Sequence, residues 1–430
     1  MRAVAAAGRR SHRLALCLAA LLAIAASPAP LAPEQLARDV ARFDRFGIKQ
    51  TGSPGNLATL GWIGKRLRGL GYTVETQAFA QSTWRIAATS VDVGGSHFEA
   101  FPLSPPRFTP ASGIVGPLRN WDGQAPPHDA AGAVLLLLLK EQRHSSVRLS
   151  LKGVALDAAQ RAGAAAIVIA TRGPTGDLIA LNADADQPLP PLPIVLVAGR
   201  DAARLQAQAA AATPARLRIA GAALPPGGAR NIIARRERGP HWIVISTPVS
   251  GWFHATAERG PGVAIFLALA ARLAAAAPCD SIALIATSGH ETGYGGMAAA
   301  LDAGLLPPPA ATRAWVHLGA GLAAYDQDRR GAEPARYLLA TSTLADAARN
   351  AFAGVAGYAT PYPLDRQTAL GETEVVVARG YPNVVGAVSA HAYHHSRNDR
   401  SDRTSGELIA PVAAGFDRLV NGAITPGTCG

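Results

Sequence analysis

Between residues 231 and 420 short apolar runs alternate with helical patterns, and this alternation is the tightest constraint on the fold. Residues 231–234, 242–246, 282–287, 314–318 and 384–388 read as strands, and 261–273, 297–303, 344–355 and 407–420 as helices. Strands this apolar are buried on both faces, and helices between them act as crossovers. The pattern predicts an α/β fold, an open and largely parallel sheet with helices on both faces. Such a sheet places its ligand crevice beyond the carboxyl ends of its strands. The run ending at Thr287 meets that requirement, because it passes straight into Ser288-Gly-His-Glu-Thr-Gly293.

The N-terminal part has the same texture. Leu36, Val40 and Phe43 lie at helical spacing; a turn over 50–56 leads to a second helix with Leu57, Leu60, Ile63, Leu67 and Leu70 on one face. Gly71 ends that helix, and 72–79 alternates like a strand. From about residue 101 short strands (131–139, 167–170, 192–197) are separated by Pro and Gly, with a helix over 156–163 and a Pro- and Asp-rich connection over 176–191. That block ends near Pro225-Pro-Gly-Gly228. The expected organisation is a leader over 1–26, an α/β domain from 27–100 and 226–430, and a small β-rich insert over 101–225.

Arg2, Arg9, Arg10 and Arg13 precede an apolar segment over 14–26 with small residues at Ala25 and Ala26, the pattern of an export signal. The segment is too short to span a bilayer comfortably. A secreted or periplasmic chain with no membrane partner after signal removal is expected. With 430 residues, 49% hydrophobic and 17% charged, a sizeable core is expected and disorder is not the default. Removal of the leader's four arginines lowers the formal charge from +11 to +7, and the remaining cations form no stripe with interleaved aromatics. A nucleic-acid partner is therefore not expected. Cys279 and Cys429 either bridge in an oxidising compartment or remain as two thiols. Oligomeric state is open.

Polar groups gather at three places near strand ends: Glu258-Arg-Gly-Pro-Gly262, His290-Glu291, and His391-Ala-Tyr-His-His-Ser-Arg-Asn-Asp399. Three of the chain's 11 histidines lie in that last run, which points to a metal or proton-transfer site.

The order Gly52-Ser-Pro-Gly55, Leu70-Gly-Tyr72, Asn231-Ile-Ile-Ala234, the Gly-Pro-Gly-Val-Ala segment at 260–264, His290-Glu291, Gly380-Tyr-Pro382 and His395 resembles the co-catalytic zinc aminopeptidases. Their relatives include glutamate carboxypeptidase, the transferrin receptor ectodomain and glutaminyl cyclase. The resemblance implies a zinc-peptidase-like α/β domain and reads the insert as a protease-associated domain. It sets Thr247 where the family has a zinc-binding His, Val249 where it has the orienting Asp, Glu258 at the bridging Asp, and His290-Glu291 at the general base and its neighbouring ligand. Gly319 falls on a further metal Asp, His395 matches the last His, and His317 is a substitute ligand candidate.

One metal position thus loses its ligands. The other implies a single zinc on Glu258, Glu291 and His395, with His290 as the proton carrier. A peptide or small amide is then the expected substrate. Arg259 offers a second arrangement, pairing with Glu258 or Glu291 and supplying the positive charge in place of zinc. A glutaminyl-cyclase-like acyltransferase and a non-catalytic binding protein remain as alternatives.

Overall fold

The structure of the chain, a computed structural model, describes residues 29, 31–141, 146–183, 189–225, 227–276 and 278–424. The leader over 1–26 and Cys429 lie outside these residues. An eight-stranded sheet runs, edge to edge, through Thr73–Phe79, Ala229–Arg236, Ser281–Thr287, Trp242–Pro248, Thr312–Leu318, Val384–Ser389, Arg336–Ala340 and Tyr362–Pro363. The four central strands, from Ser281–Thr287 to Val384–Ser389, are mutually parallel. Ala229–Arg236 and Arg336–Ala340 flank them antiparallel. The expected parallel sheet is therefore its centre, and apolar runs of a few residues do not encode the direction of their neighbours.

Both faces of the sheet are covered, as the apolar strands require. On one face the helices Pro33–Arg45, Pro54–Gly69, Thr256–Ala276 and Gly406–Arg418 close a core that includes Phe43, Ile63, Phe266 and Phe416. On the other, Gly295–Asp302 and Thr373–Ala378 supply Met297, Ala300 and Val376 to a core with Trp315 and Tyr381. Among the described residues Thr256–Ala276 is the one helix long and apolar enough to cross a membrane, and it is largely buried in the core.

That helix starts at Thr256, five residues before the expected start at 261. Glu258 and Arg259 consequently ride on its first turn rather than in a preceding loop. Gly262 permits the helix to lie hard against the strand ends, since a Cβ there would come within 3.1–3.3 Å of Thr247 Oγ1 and the Leu318 and Gly319 carbonyl oxygens.

Strands Thr83–Val93, Ser96–Pro102, Ile194–Val197, Ala166–Arg172, Val134–Glu141, Ile114–Trp121 and Pro214–Leu224 close into a barrel. The barrel begins at Thr83, ahead of the texture change near residue 101. Its first and last strands pair, with Thr83 opposite Leu224. The sheet strands on either side of it also pair, with Phe79 opposite Ala229. The barrel is thus carried as the loop of an edge hairpin. Cys279 is disulfide-bonded, which removes the free-thiol alternative at that position.

Candidate functional site

The turn after Thr287 is held by side chains from several other segments. Ser288 N donates to Asn231 Oδ1 at 3.0 Å, Gly289 N to Thr51 Oγ1 at 2.9 Å, and His290 N to Ser250 Oγ at 3.2 Å. Asn231 Nδ2 also donates to the Gly296 carbonyl at 2.8 Å, tying the start of the turn to its end. Gly289 has φ +79°, a backbone conformation that a side chain would strain. His290 and Glu291 are therefore presented by a rigid turn.

Glu258 and Arg259 come from the helix opposite. Asp399 caps that helix, accepting from Ala257 N at 2.6 Å and Glu258 N at 3.2 Å. Arg259 Nη2 stands 2.9 Å from Glu258 Oε1 and 2.9 Å from Glu291 Oε1, while its Nε donates to the Ser250 carbonyl at 2.8 Å. Arg259 is 1% exposed and Glu258 is fully buried. Burial by itself pushes the Glu258 carboxyl up, but Arg259, His395 and His394 outweigh it and hold the group well below the usual carboxylate range. The same balance, burial against Glu258 and Glu291, raises the pKa of Arg259.

His395 completes the group from the loop before the last helix. Its Nε2 is 3.3 Å from Glu258 Oε1, and its Nδ1 lies 2.9 Å from the Ala180 carbonyl. Burial lowers its pKa, Glu258 more than compensates, and the net shift is upward. The barrel reaches this point along the connection 173–183. Ala180 N donates to the His395 carbonyl at 3.0 Å, and Ala183 N to the Glu291 carbonyl at 2.8 Å.

The structure thus brings Glu258, Arg259, Glu291 and His395 together. It does so in a form that does not fit a zinc on Glu258, Glu291 and His395, because the cation between the two carboxylates is the guanidinium. Zinc–oxygen bonds are about 2.0–2.2 Å, and a dication placed between these carboxylates would fall on Arg259. A different set, Glu258, His394 and His395, has ligand atoms within 4.8 Å of one another. His395 has the tethered Nδ1 typical of a metal-binding imidazole, but the carboxylate in this set is again the one Arg259 neutralises.

In the neighbouring half of the crevice, positions 247, 249 and 319 carry no ionisable side chain. Thr247 donates to the Leu318 carbonyl at 2.9 Å, and Val249 is part of the core. At Gly319 a Cβ would meet Ala387 O and Val388 Cγ1, both at 2.6 Å, so no side chain fits. His317 is bound by Ser246 Oγ at 2.9 Å, and burial drives its pKa down to about 4. His290 lies on this side, with Nδ1 3.6 Å from Glu372 Oε1. Burial, reinforced by Arg259, lowers its pKa to about 3, so it is neutral at pH 7.

Glu372 was not anticipated. It is fully buried at the start of the helix Thr373–Ala378, accepts from Thr287 Oγ1 at 2.7 Å, and burial raises its pKa. No motif surrounds it; the signal available was an acidic residue beside a glycine in Leu370-Gly-Glu-Thr373, just ahead of the last buried strand.

No protein-family model matches the chain. The Mycobacterium tuberculosis protein named "Probable lipoprotein aminopeptidase LpqL" is 27% identical over 225 residues, half of this chain, and the match spans 42% of that relative's length. Among solved structures, a zinc aminopeptidase from Bacillus subtilis superposes with TM-score 0.72 at 16% identity, covering 94% of this chain and 98% of the other. A peptidase M28 precursor from Shewanella amazonensis gives 0.72 at 16% identity over 92% and 96%. An aminopeptidase from an Aneurinibacillus strain gives 0.63 at 18% identity over 92% and 94%. The chain therefore has the fold of the zinc aminopeptidases, built around a crevice whose central cation is an arginine.

Proposed function

We propose that the chain is an exported hydrolase of peptide or small amide bonds, acting in the strand-end crevice around Arg259 and Glu291. The observation that carries this reading is a buried guanidinium locked between two carboxylates at the ligand crevice of an aminopeptidase fold. Arg259 Nη1 has no hydrogen-bond partner, nor has Glu291 Oε2. Amide hydrolysis needs such a pair: a donor where negative charge develops and a base for the attacking water. A carbonyl oxygen on Arg259 Nη1 is polarised, and water on Glu291 Oε2 yields its proton as its oxygen bonds to the carbonyl carbon. That proton passes to the leaving nitrogen as the C–N bond breaks. His290, neutral and 8% exposed, offers a hydrogen bond without adding charge.

The export part of the reading is supported by the leader pattern and by the lipoprotein relative. We read the barrel as a protease-associated insert whose connection 173–183 roofs the crevice. Glu291 lines a narrow opening of about 10 Å³ with Gln50, Trp84 and Trp252, room for about one water. A cleft of about 730 Å³ lies alongside, shares Gln50 and Trp84, and includes Phe101 and Phe253. Turnover therefore requires the roof to lift.

A second reading, a non-catalytic binding protein that uses the wider cleft, is favoured by that same closure. Chromogenic aminoacyl and N-acyl amides, assayed with and without a chelator, separate the two. Turnover that survives chelation and falls about 100-fold or more in Glu291→Gln supports the hydrolase. Peptide binding without turnover across the panel rejects it.

A further inference from the structure

We infer that Arg259 is a built-in substitute for a metal ion: it excludes zinc from Glu258 and Glu291, and its removal opens a zinc site on Glu258, Glu291 and His395. Three features of the crevice support this. First, one nitrogen of the guanidinium, Nη2, is shared by the two carboxylates at 2.9 Å each, the bridging position a single cation would take. Second, the side chain cannot swing aside. Its Nε is tied to the Ser250 carbonyl, its backbone belongs to a helix turn capped by Asp399, and it is 1% exposed. Leaving would strand two buried carboxylates, which is costly. Third, the ligands remain in place beneath it. Glu258, Glu291 and His395 converge from a helix, a pinned turn and a tethered imidazole, so their positions do not depend on a metal.

Charge points the same way. Two carboxylates facing one guanidinium leave room for little further positive charge in a site this deeply buried, and a dication beside Arg259 would be repelled at contact distance. Without Arg259 the same two carboxylates and the imidazole of His395 form an oxygen- and nitrogen-donor set suited to zinc. The neighbouring half cannot contribute, because Thr247 and Gly319 supply no ligand.

The test is metal content together with melting temperature, measured on the mature chain after dialysis against zinc and then metal-free buffer. The inference stands or falls independently of any turnover. Wild type is expected to hold less than about 0.1 zinc per chain, and Arg259→Ala about one. Zinc should raise the melting temperature of Arg259→Ala by several degrees and leave wild type unmoved. Adding His395→Ala to that variant should abolish both gains. Near-stoichiometric zinc in wild type overturns the inference, and its loss in His394→Ala would move the metal to Glu258, His394 and His395. A folded Arg259→Ala that takes no zinc overturns it as well. Should that variant fail to fold, Arg259→Gln, which keeps a hydrogen-bonding side chain but no charge, replaces it under the same criteria.

Discussion

The two halves of the crevice solve one problem in opposite ways. Around Glu258 the ionisable groups are kept and balanced, with two carboxylates sharing a guanidinium and an imidazole close by. Around His317 they are removed or discharged. Thr247 and Gly319 carry no charge, burial drives His317 down to about 4, and burial disfavours the charged form of Glu372 without a guanidinium in contact to offset it. A charge taken out of water must be paired or given up, and this fold does each within one site. The difference teaches that a buried acidic residue does not by itself indicate a metal site. What matters is whether its counter-charge is already built into the chain.

The comparison breaks most decisively at Arg259. Arg259→Ala orphans two carboxylates and should cost about 3–5 kcal/mol in urea unfolding, with part returned by adding Glu291→Gln. A loss below about 1 kcal/mol would mean that the charged half is not held by its arginine.

Acid tests both halves next. His290, His317 and His394 all have pKa values lowered by burial from 6.5, so the unfolded chain binds more protons than the folded one as pH falls below about 6.5. Stability should therefore fall as pH drops below about 6.5, each of these histidines steepening the slope by at most one proton. Glu258, whose folded pKa is depressed, adds a further loss below about 4.5. Glu372, whose folded pKa is raised, acts in the opposite sense: its contribution is present in acid and fades as pH rises. Urea unfolding at stepped pH measures the slope, and His317→Gln should lower it by about one proton.

A smaller effect is expected at Gly319. Gly319→Asp drives its Cβ into Ala387 O and should destabilise by about 1–3 kcal/mol without metal uptake. The smallest is expected at Glu372. Glu372→Gln keeps the oxygen that accepts from Thr287 and should change stability by less than about 1 kcal/mol. A loss as large as that of Arg259→Ala would show that Glu372 matters to stability as much as the carboxylates paired with Arg259 and would erase the distinction between the halves.

The central strands were legible because a strand buried on both faces has to be largely apolar, and 282–286 and 314–316 are apolar throughout. Strand direction was not, because the antiparallel strand Ala229–Arg236, second from the edge, is as apolar over 232–234 as a parallel one would be. Glu258, Arg259, His290 and Glu291 could be singled out because each lies beside a glycine-rich turn at a strand or helix end. The sequence reading left Arg259 and zinc as alternatives, since neighbours along the chain do not reveal which side chain occupies the gap between two others. Glu372 escaped because its meeting with His290 and Thr287 is made by packing between distant segments. The early start of the helix Thr256–Ala276 escaped for a similar reason: its cap, Asp399, lies more than a hundred residues away.

The barrel's insertion within an edge hairpin has a kinetic consequence. Phe79 and Ala229 must meet across about 150 residues, and closing a flexible loop of that size costs about 2 kcal/mol more than closing one of ten residues. Thr83 and Leu224, paired in the barrel, bring the two ends together beforehand. Folding of the barrel first therefore turns the longest closure in the edge of the sheet into a short one. Asn231, which secures the turn bearing His290 and Glu291, sits on the strand that this closure delivers, so a barrel that contributes none of the crevice's charged groups lowers the entropic cost of assembling it.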